Sequence, residues 1–564
     1  MKVDTPLIKW SGISSLFKTR GGEIGSVAIG IATFGALTNW KILNPLFVRW
    51  LYWGDPSTSY LGWQFFRKTP LLQFPIGASP NYGVGFASSI MYTDSIPLIA
   101  IPLKYVSFLL PNEFQYFGIW ILVALILQSW FAWKIVSRFI PNIVLALFGV
   151  VLFTNAPILI YRMVHEGSGH IGFIGQFLIL WSLHLYFERD SSLKPWLVLL
   201  GISPLICLGL VPMVFVVFAS WLIQQFPKKS IPLTVRLLGT SKRLLVGIAT
   251  TIGVMWISGA LMVRDPSDSG FGTYRTSLTS LFDPKVNNTF SFSKFLPDLG
   301  NLPGSEEGFA FLGITVIALL LISIPTVFKG NHPLLSKNNI GLILVTIGMG
   351  LFSLSNRISV LQRELFTYPI PDQIEKYIGP FRSSGRFVWP LIYVLILFGL
   401  ISLMTLMQNR RNLGYLVLVV LLSIQIIESV GVFSNVRQRF TEGKFTPQLT
   451  SPRWDELAQN YDHLIAIPPL NNDPGWFELA LLADKWSLST NTTYLARVDQ
   501  KSFDAALSIA QNDLENFRFD PKTLYVLTNY PPNPMNQALL DTYGPSSAGQ
   551  TKSFSLDGFT VIAP

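Results

Sequence analysis

Trp196-Leu197-Val198-Leu199-Leu200-Gly201-Ile202-Ser203-Pro204-Leu205-Ile206-Cys207-Leu208-Gly209-Leu210-Val211-Pro212-Met213-Val214-Phe215-Val216-Val217-Phe218-Ala219-Ser220-Trp221-Leu222-Ile223 carries no charge. About 20 such residues cross a bilayer, and a run this long has no counterpart in an ordinary water-soluble core. It exceeds one crossing by about eight residues, and Gly209-Leu210-Val211-Pro212 interrupts it near the middle. Two short spans meeting at a tight turn are therefore expected in place of one long tilted helix.

Working outward, apolar runs recur at Gln115 to Trp133, Ile143 to Ile160, Ile171 to Phe187, Leu244 to Val263, Phe309 to Val327, Ile340 to Leu354, Phe387 to Met407 and Tyr415 to Val432. A shorter, glycine-rich run covers Ile24 to Leu37. Only 13% of the 564 residues are charged and the mean hydropathy is +0.43. An average soluble domain carries about 25% charge, so a soluble globular protein is excluded, and so is a disordered chain. The single cysteine, Cys207, rules out a disulfide framework or a thiolate cluster.

Lys and Arg set the expected orientation, because short cytoplasmic loops are basic. If Asp94 to Leu110 lies in the interface and the Pro212 run is split, one side collects Lys134/Arg138, Arg189/Lys194, Lys228/Lys229/Arg236/Lys242/Arg243, Lys329/Lys337 and Arg410/Arg411. The expectation is an α-helical polytopic membrane protein of about eleven transmembrane helices, N-terminus cytoplasmic. Residues 1–434 form the membrane region, with long outer loops at 39–114, 264–307 and 356–386. Residues 435–564 read as a soluble extracytoplasmic α/β domain, since short apolar runs such as His463 to Ile467 and Thr523 to Leu527 alternate with helical stretches such as Phe503 to Phe517. The +10 net charge is then a topology signal and does not call for nucleic acid.

Four substantial outer segments point to chemistry at the interface. In Gly54-Asp55-Pro56, Asp55 reads equally as a helix cap and as a partly dehydrated general base of raised pKa. Asp94 sits in a similar setting before Pro97. His165, Glu166 and His170 cluster among glycines, either as ligands for a divalent cation or as interfacial hydrogen-bonding groups. Glu306 and Glu307 lie at the mouth of another span. Arg382 and Arg386 read as a phosphate clamp or as lipid-headgroup anchors, and Arg67 and Lys68 add further cations for a donor phosphate. Trp53, Trp63, Phe65 and Phe66 offer faces for a sugar ring or lipid tail. Together these features point to a sugar transferase fed by a lipid-linked phosphate.

The long first outer loop holding Asp55, the basic turn at Lys134 to Arg138, and Asn155-Ala156-Pro157 leading into a short polar loop resemble the layout of GT-C glycosyltransferases. Among these are aminoarabinose and mannosyl transferases that use polyprenyl-phosphate sugars. Gly54-Asp55 through Trp63, Tyr92 to Leu98, and Tyr494-Leu495-Ala496-Arg497 resemble a bacterial subfamily of that architecture. The resemblance implies a catalytic acidic residue at Asp55 and a second acidic position in the His165 to His170 segment, where Glu166 stands. It implies an inverting transfer from a polyprenyl-phosphate sugar to an envelope glycan or lipid at the outer face of the bacterial cytoplasmic membrane. Trp476, Tyr494 and Arg497 are candidates for orienting the acceptor. The alternatives are a polysaccharide polymerase or ligase, and a non-enzymatic transporter. A transporter would place paired charges inside its spans, where Glu428 is the notable exception to an otherwise uncharged set.

Overall fold

The computed structural model describes residues 12–164, 169–188, 192–226, 232–264, 271–286, 290–330, 332–371, 373–374, 378–442, 445–516, 518–528 and 552–564. Its membrane region comprises α1 (Gly12–Thr38), α2 (Asp55–Arg67), α3 (Pro97–Lys104), α4 (Phe117–Phe139), α5 (Ile143–Thr154), α6 (Pro157–Ile160), α7 (Phe177–Phe187), α8 (Leu193–Ile206), α9 (Val211–Gln224), α10 (Leu233–Ser258), α11 (Ile314–Phe328), α12 (Ile340–Ser353), α13 (Trp389–Asn409) and α14 (Arg411–Glu442). Two small hairpins, β1 (Lys285–Val286) with β2 (Phe290–Ser291) and β3 (Arg357–Val360) with β4 (Arg363–Thr367), lie in the loops.

The opening run does break. α8 ends at Cys207, whose extended backbone (φ −158°) cannot continue a helix, and α9 starts with Pro212 in its first turn. Among the described residues, six helical segments are long and apolar enough to cross a membrane: Arg20–Thr38, Phe117–Phe139, Ile143–Met163, Leu233–Ser258, Ser384–Asn409 and Arg411–Thr441. The other expected spans are helical but shorter. α8 and α9, at 14 residues each, extend only about 21 Å against a hydrocarbon core of about 30 Å. Among the described residues length and composition thus support six crossings, and the expected eleven are not confirmed. At eight residues, α3 is far too short to cross, in keeping with an interfacial Asp94 to Leu110.

At one end of the bundle the first long loop is tied to the end of α10, and the second long loop to the third. Ile76 donates its backbone N–H to Ile257 (3.0 Å), the Tyr92 hydroxyl donates to the Ala260 carbonyl (3.0 Å), and Gly385 N–H donates to Tyr274 (3.0 Å). At the opposite end Lys134 pairs with Glu23 (2.5 Å), and Arg138 Nη1 donates to the Phe187 carbonyl (3.0 Å). Within the membrane region Glu428, buried on α14, accepts the backbone N–H of Ile314 (3.2 Å) and so satisfies the first turn of α11.

Beyond α14 the chain forms α15 (Arg453–Ala458), β5 (His463–Ile467), β6 (Leu470–Asn471), α16 (Trp476–Trp486), β7 (Ser489–Thr490), β8 (Thr492–Thr493), α17 (Gln500–Glu515), β9 (Thr523–Leu527), β10 (Lys552–Leu556) and β11 (Phe559–Ala563). The main sheet runs β10-β11-β9-β5-β7, with β5 parallel to β7 and β9 and antiparallel pairing elsewhere. The two apolar runs expected as strands are the neighbours β5 and β9, burying Leu464, Ala466, Leu524 and Val526. This unit rests directly on the 39–114 loop: Gly83 donates to the Thr490 carbonyl (2.8 Å), Ala496 to Tyr92 (2.8 Å), and Lys68 pairs with Asp484 (2.7 Å).

Candidate active site

Asp55 is the first residue of α2. The cap position belongs to Gly54 in a left-handed conformation (φ 65°), and no side chain caps the helix. The capping role expected of Asp55 is therefore not made. Its Oδ1 instead accepts the hydroxyl of Tyr494, which lies between β8 and α17 (2.9 Å), and its Oδ2 faces His170 Nε2 at 3.6 Å. α2 approaches the Thr93–Ser95 segment so closely that a Cβ on Gly62 would lie 2.3 Å from Thr93 Oγ1. That contact sets Asp94 on the same wall. Asp94 caps nothing either, because α3 is headed by Ile96 without a side-chain cap. Its backbone is left-handed (φ 54°) and its Oδ2 lies 3.3 Å from His170 Nδ1.

His170 therefore presents one ring nitrogen to each aspartate, and its Nε2 also lies 3.9 Å from Glu307 Oε1. Burial disfavours its protonation, yet Asp55 and Asp94 outweigh that cost and raise its pKa above the usual 6.5. Glu307 Oε2 accepts from Arg386 Nη2 (2.5 Å), Arg386 Nε (2.7 Å) and Arg162 Nη1 (3.1 Å). Burial opposes its charge, but Arg386, Arg162 and His170 hold its carboxyl well below the usual carboxylate range. Tyr494 is pushed well above its ordinary value by burial and by the Asp55 charge, so it remains a hydrogen-bond donor.

Glu307 meets Arg386 because two backbones touch. A Cβ on Gly385 would lie 2.4 Å from the Gly308 Cα, and one on Gly308 would lie 2.0 Å from the Arg275 carbonyl oxygen. The guanidinium of Arg386 also stacks over Phe173 (4.1 Å), while that of Arg162 packs against Tyr161 (4.8 Å) and Trp389 (5.1 Å). Arg382 and Arg497 complete the lining of a cavity of about 300 Å³ that also contains Asp55, Asp94, His170, Glu307 and Tyr494. Among the described residues Arg382 makes no ion pair, and it lines the cavity.

The remaining expectations fall elsewhere. Arg67 is taken up by the carbonyls of Ser107 (2.8 Å) and Pro111 (2.7 Å), and Lys68 by Asp484, so neither lines this cavity. Trp476 packs edge-on behind Tyr494, with centroids 5.6 Å apart. Trp63, Phe65 and Phe66 are buried in the core, which removes them as faces for a ligand, whereas Trp53 is exposed. Glu306 faces a different cavity. His165 and Glu166 lie outside the described residues. Among the described residues no group of three or more His, Cys, Asp or Glu side chains is disposed to hold a metal ion, and both ring nitrogens of His170 are already turned to carboxylates. Two site residues were missed in the sequence. Arg162 follows an apolar run directly, and Arg439 donates Nη1 to the Val164 carbonyl (2.6 Å). Arg162 carried a signal, a lone cation beside an apolar run, whereas Arg439 stands in the polar stretch Arg437-Gln438-Arg439 and carried none.

The fold and site define a polytopic membrane protein with a charged cavity enclosed between its long loops and an α/β cap. Residues 27–429 match the family described as "Domain of unknown function (DUF6311)" and residues 453–564 match the "DUF6311 C-terminal domain". The chain belongs to this family. No functionally curated protein matches it. Among solved structures it is similar to the oligosaccharyltransferase AglB of the archaeon Archaeoglobus fulgidus in complex with an inhibitory peptide and a dolichol-phosphate, at 10% identity and TM-score 0.46, covering 92% of this chain and 70% of that one. The oligosaccharyltransferase of the same organism tethered to an acceptor peptide gives 11% identity and TM-score 0.44, over 85% of this chain and 64% of that one. Its apo form gives 12% and 0.42, over 84% and 64%.

Proposed function

We propose that the protein is a GT-C-like inverting glycosyltransferase that moves a sugar from a polyprenyl-phosphate donor to an envelope glycan or lipid at the outer face of the bacterial cytoplasmic membrane. The observation that carries this reading is that one cavity is lined by Asp55 together with Arg382 and Arg386. Asp55 takes the proton of the acceptor hydroxyl while that oxygen bonds to the anomeric carbon. The bond from that carbon to the phosphate oxygen breaks, and the polyprenyl phosphate leaves with the electron pair. Arg382, without an ion pair among the described residues, meets the developing phosphate charge, whereas Arg386 is held by Glu307 and acts as a backstop. Arg497 and Tyr494 orient the acceptor from the cap. His170 keeps Asp55 and Asp94 apart in charge and aligned.

Asp55→Asn preserves the shape and removes the base. Reconstituted in lipid nanodiscs and assayed with a panel of polyprenyl-phosphate hexoses and pentoses, it should transfer roughly 10²–10⁴-fold more slowly than the wild type. A folded variant working at the wild-type rate would remove Asp55 from the chemistry.

A further inference from the structure

A second cavity, of about 370 Å³, opens on the same outer face, lined by Asp283, Lys285, Asp298, Asn301, Glu306 and Gln362 among others. Its size falls within the range of about 300–1,000 Å³ typical of small-molecule sites. The four-residue turn Ser305–Gly308 is shared by the two cavities: Ser305 and Glu306 line this one, and the next residue, Glu307, lines the charged one. We propose that this cavity is a saccharide subsite that holds a neutral or amino-bearing sugar unit of the acceptor. This deepens the glycosyltransferase reading and rests on it for the word acceptor.

The wall is built from hydrogen-bond acceptors. Asp283 is fixed in place, Oδ1 accepting the backbone N–H of Lys285 (3.1 Å) and Oδ2 the side-chain amide of Asn301 (2.7 Å). Lys285, the one lining ammonium, is committed to Asp298 (2.6 Å). Glu306 makes no ion pair among the described residues, and the buried oxygens of Asn301 (Oδ1) and Ser305 (Oγ) have no protein partner at this wall. Carboxylates that outnumber ammonium groups repel phosphates and uronic acids. Carboxylate, amide and hydroxyl oxygens accept from the many hydroxyls of a sugar. Phe309 gives the cavity an apolar side. One backbone turn then fixes the distance between a bound sugar unit and the reacting centre beyond it.

The test is saturation-transfer NMR on the full-length protein in nanodiscs, with N-acetylglucosamine, glucosamine and glucuronic acid as probes. The wild type should transfer saturation to the first two and not to glucuronate. Glu306→Gln should weaken the response about tenfold, and Gln362→Trp, an exposed rim position, should abolish it by blocking the mouth without lowering the melting temperature. Asp55→Asn should leave sugar binding intact. No response from any sugar, an equal response from glucuronate, or a response that survives Gln362→Trp overturns the subsite. Turnover with the polyprenyl-phosphate panel, measured on the same samples, reports separately on the transferase reading: its absence removes that reading, while sugar binding sensitive to both variants still upholds the subsite.

Discussion

His170 is the hinge of the charged cavity's electrostatics. Its imidazolium faces Asp55, Asp94 and Glu307, and Arg386 opposes it from behind. Its pKa is raised in the folded protein, so the stability it contributes is fully present below about pH 6.5, its unfolded value, and is lost as pH rises through the folded value. Melting temperatures from about pH 5.5 to about pH 8.5 should therefore fall through this window in the wild type. His170→Gln, which bears no titrating charge, should lack that component. An identical profile for the two proteins would show that the three carboxylates are held by other means. Much of this residue set was legible in the sequence: Asp55, Asp94, His170, Glu307, Arg382 and Arg386 were all singled out by residue type and by position next to apolar runs. Their partners were not. Asp55 binds a tyrosine 439 residues away, and no local pattern encodes such a pairing.

At the scale of elements, the apolar runs located the helices well and their lengths badly. Periodicity marks where a chain can be helical, but Pro and the extended conformation at Cys207 decide where it stops, and α8 and α9 end well short of a bilayer's thickness. Likewise the aromatic run around Trp63 reads as a binding surface until α2 is seen to be buried along most of its length. Turns carry information that periodicity misses. The contact between Gly308 and Gly385 brings the Ser305–Gly308 turn against the Ser384–Val388 turn that precedes α13 and so sets the Glu307–Arg386 pair. Gly385→Ala should force these backbones apart, costing roughly 1–3 kcal/mol of stability and lowering transfer together with it. Gly348→Ala, where a Cβ meets nothing within 4 Å, is the matched control. Equal melting temperatures for both variants would show that the turn yields freely.

At the scale of the whole molecule, the cap is a structural wall of the cavity, not a tethered accessory. Lys68 on the C-terminal side of α2 grips Asp484 through its side chain (2.7 Å) and its carbonyl (2.5 Å), while Tyr494 reaches the other end of the same helix. Burial pushes the Asp484 carboxyl up in spite of Lys68. Asp484→Asn should cost roughly 1–3 kcal/mol, less than a fully buried pair, because the Lys68 side chain is 36% exposed. Hydrogen exchange should then rise across Ser489 to Ala496, and transfer should fall in step. Faster exchange at an unchanged rate would separate the cap from catalysis. The cap's α/β character was readable from alternating runs, whereas its seat was not, because the hydrogen bonds joining Gly83 to Thr490 and Tyr92 to Ala496 are backbone contacts that any side chains permit.

The distance in sequence between Asp55 and Tyr494 also sets a timetable. The two residues leave the ribosome 439 residues apart, which at about 5–20 residues per second is a delay on the order of tens of seconds. Throughout that interval the helices can enter the bilayer and pack while the aspartate lacks its tyrosine and the cavity lacks one side. A newly made molecule thus completes this cavity only when the segment bearing Tyr494 has folded onto α2, and a chain cut short before Tyr494 leaves Asp55 without that partner.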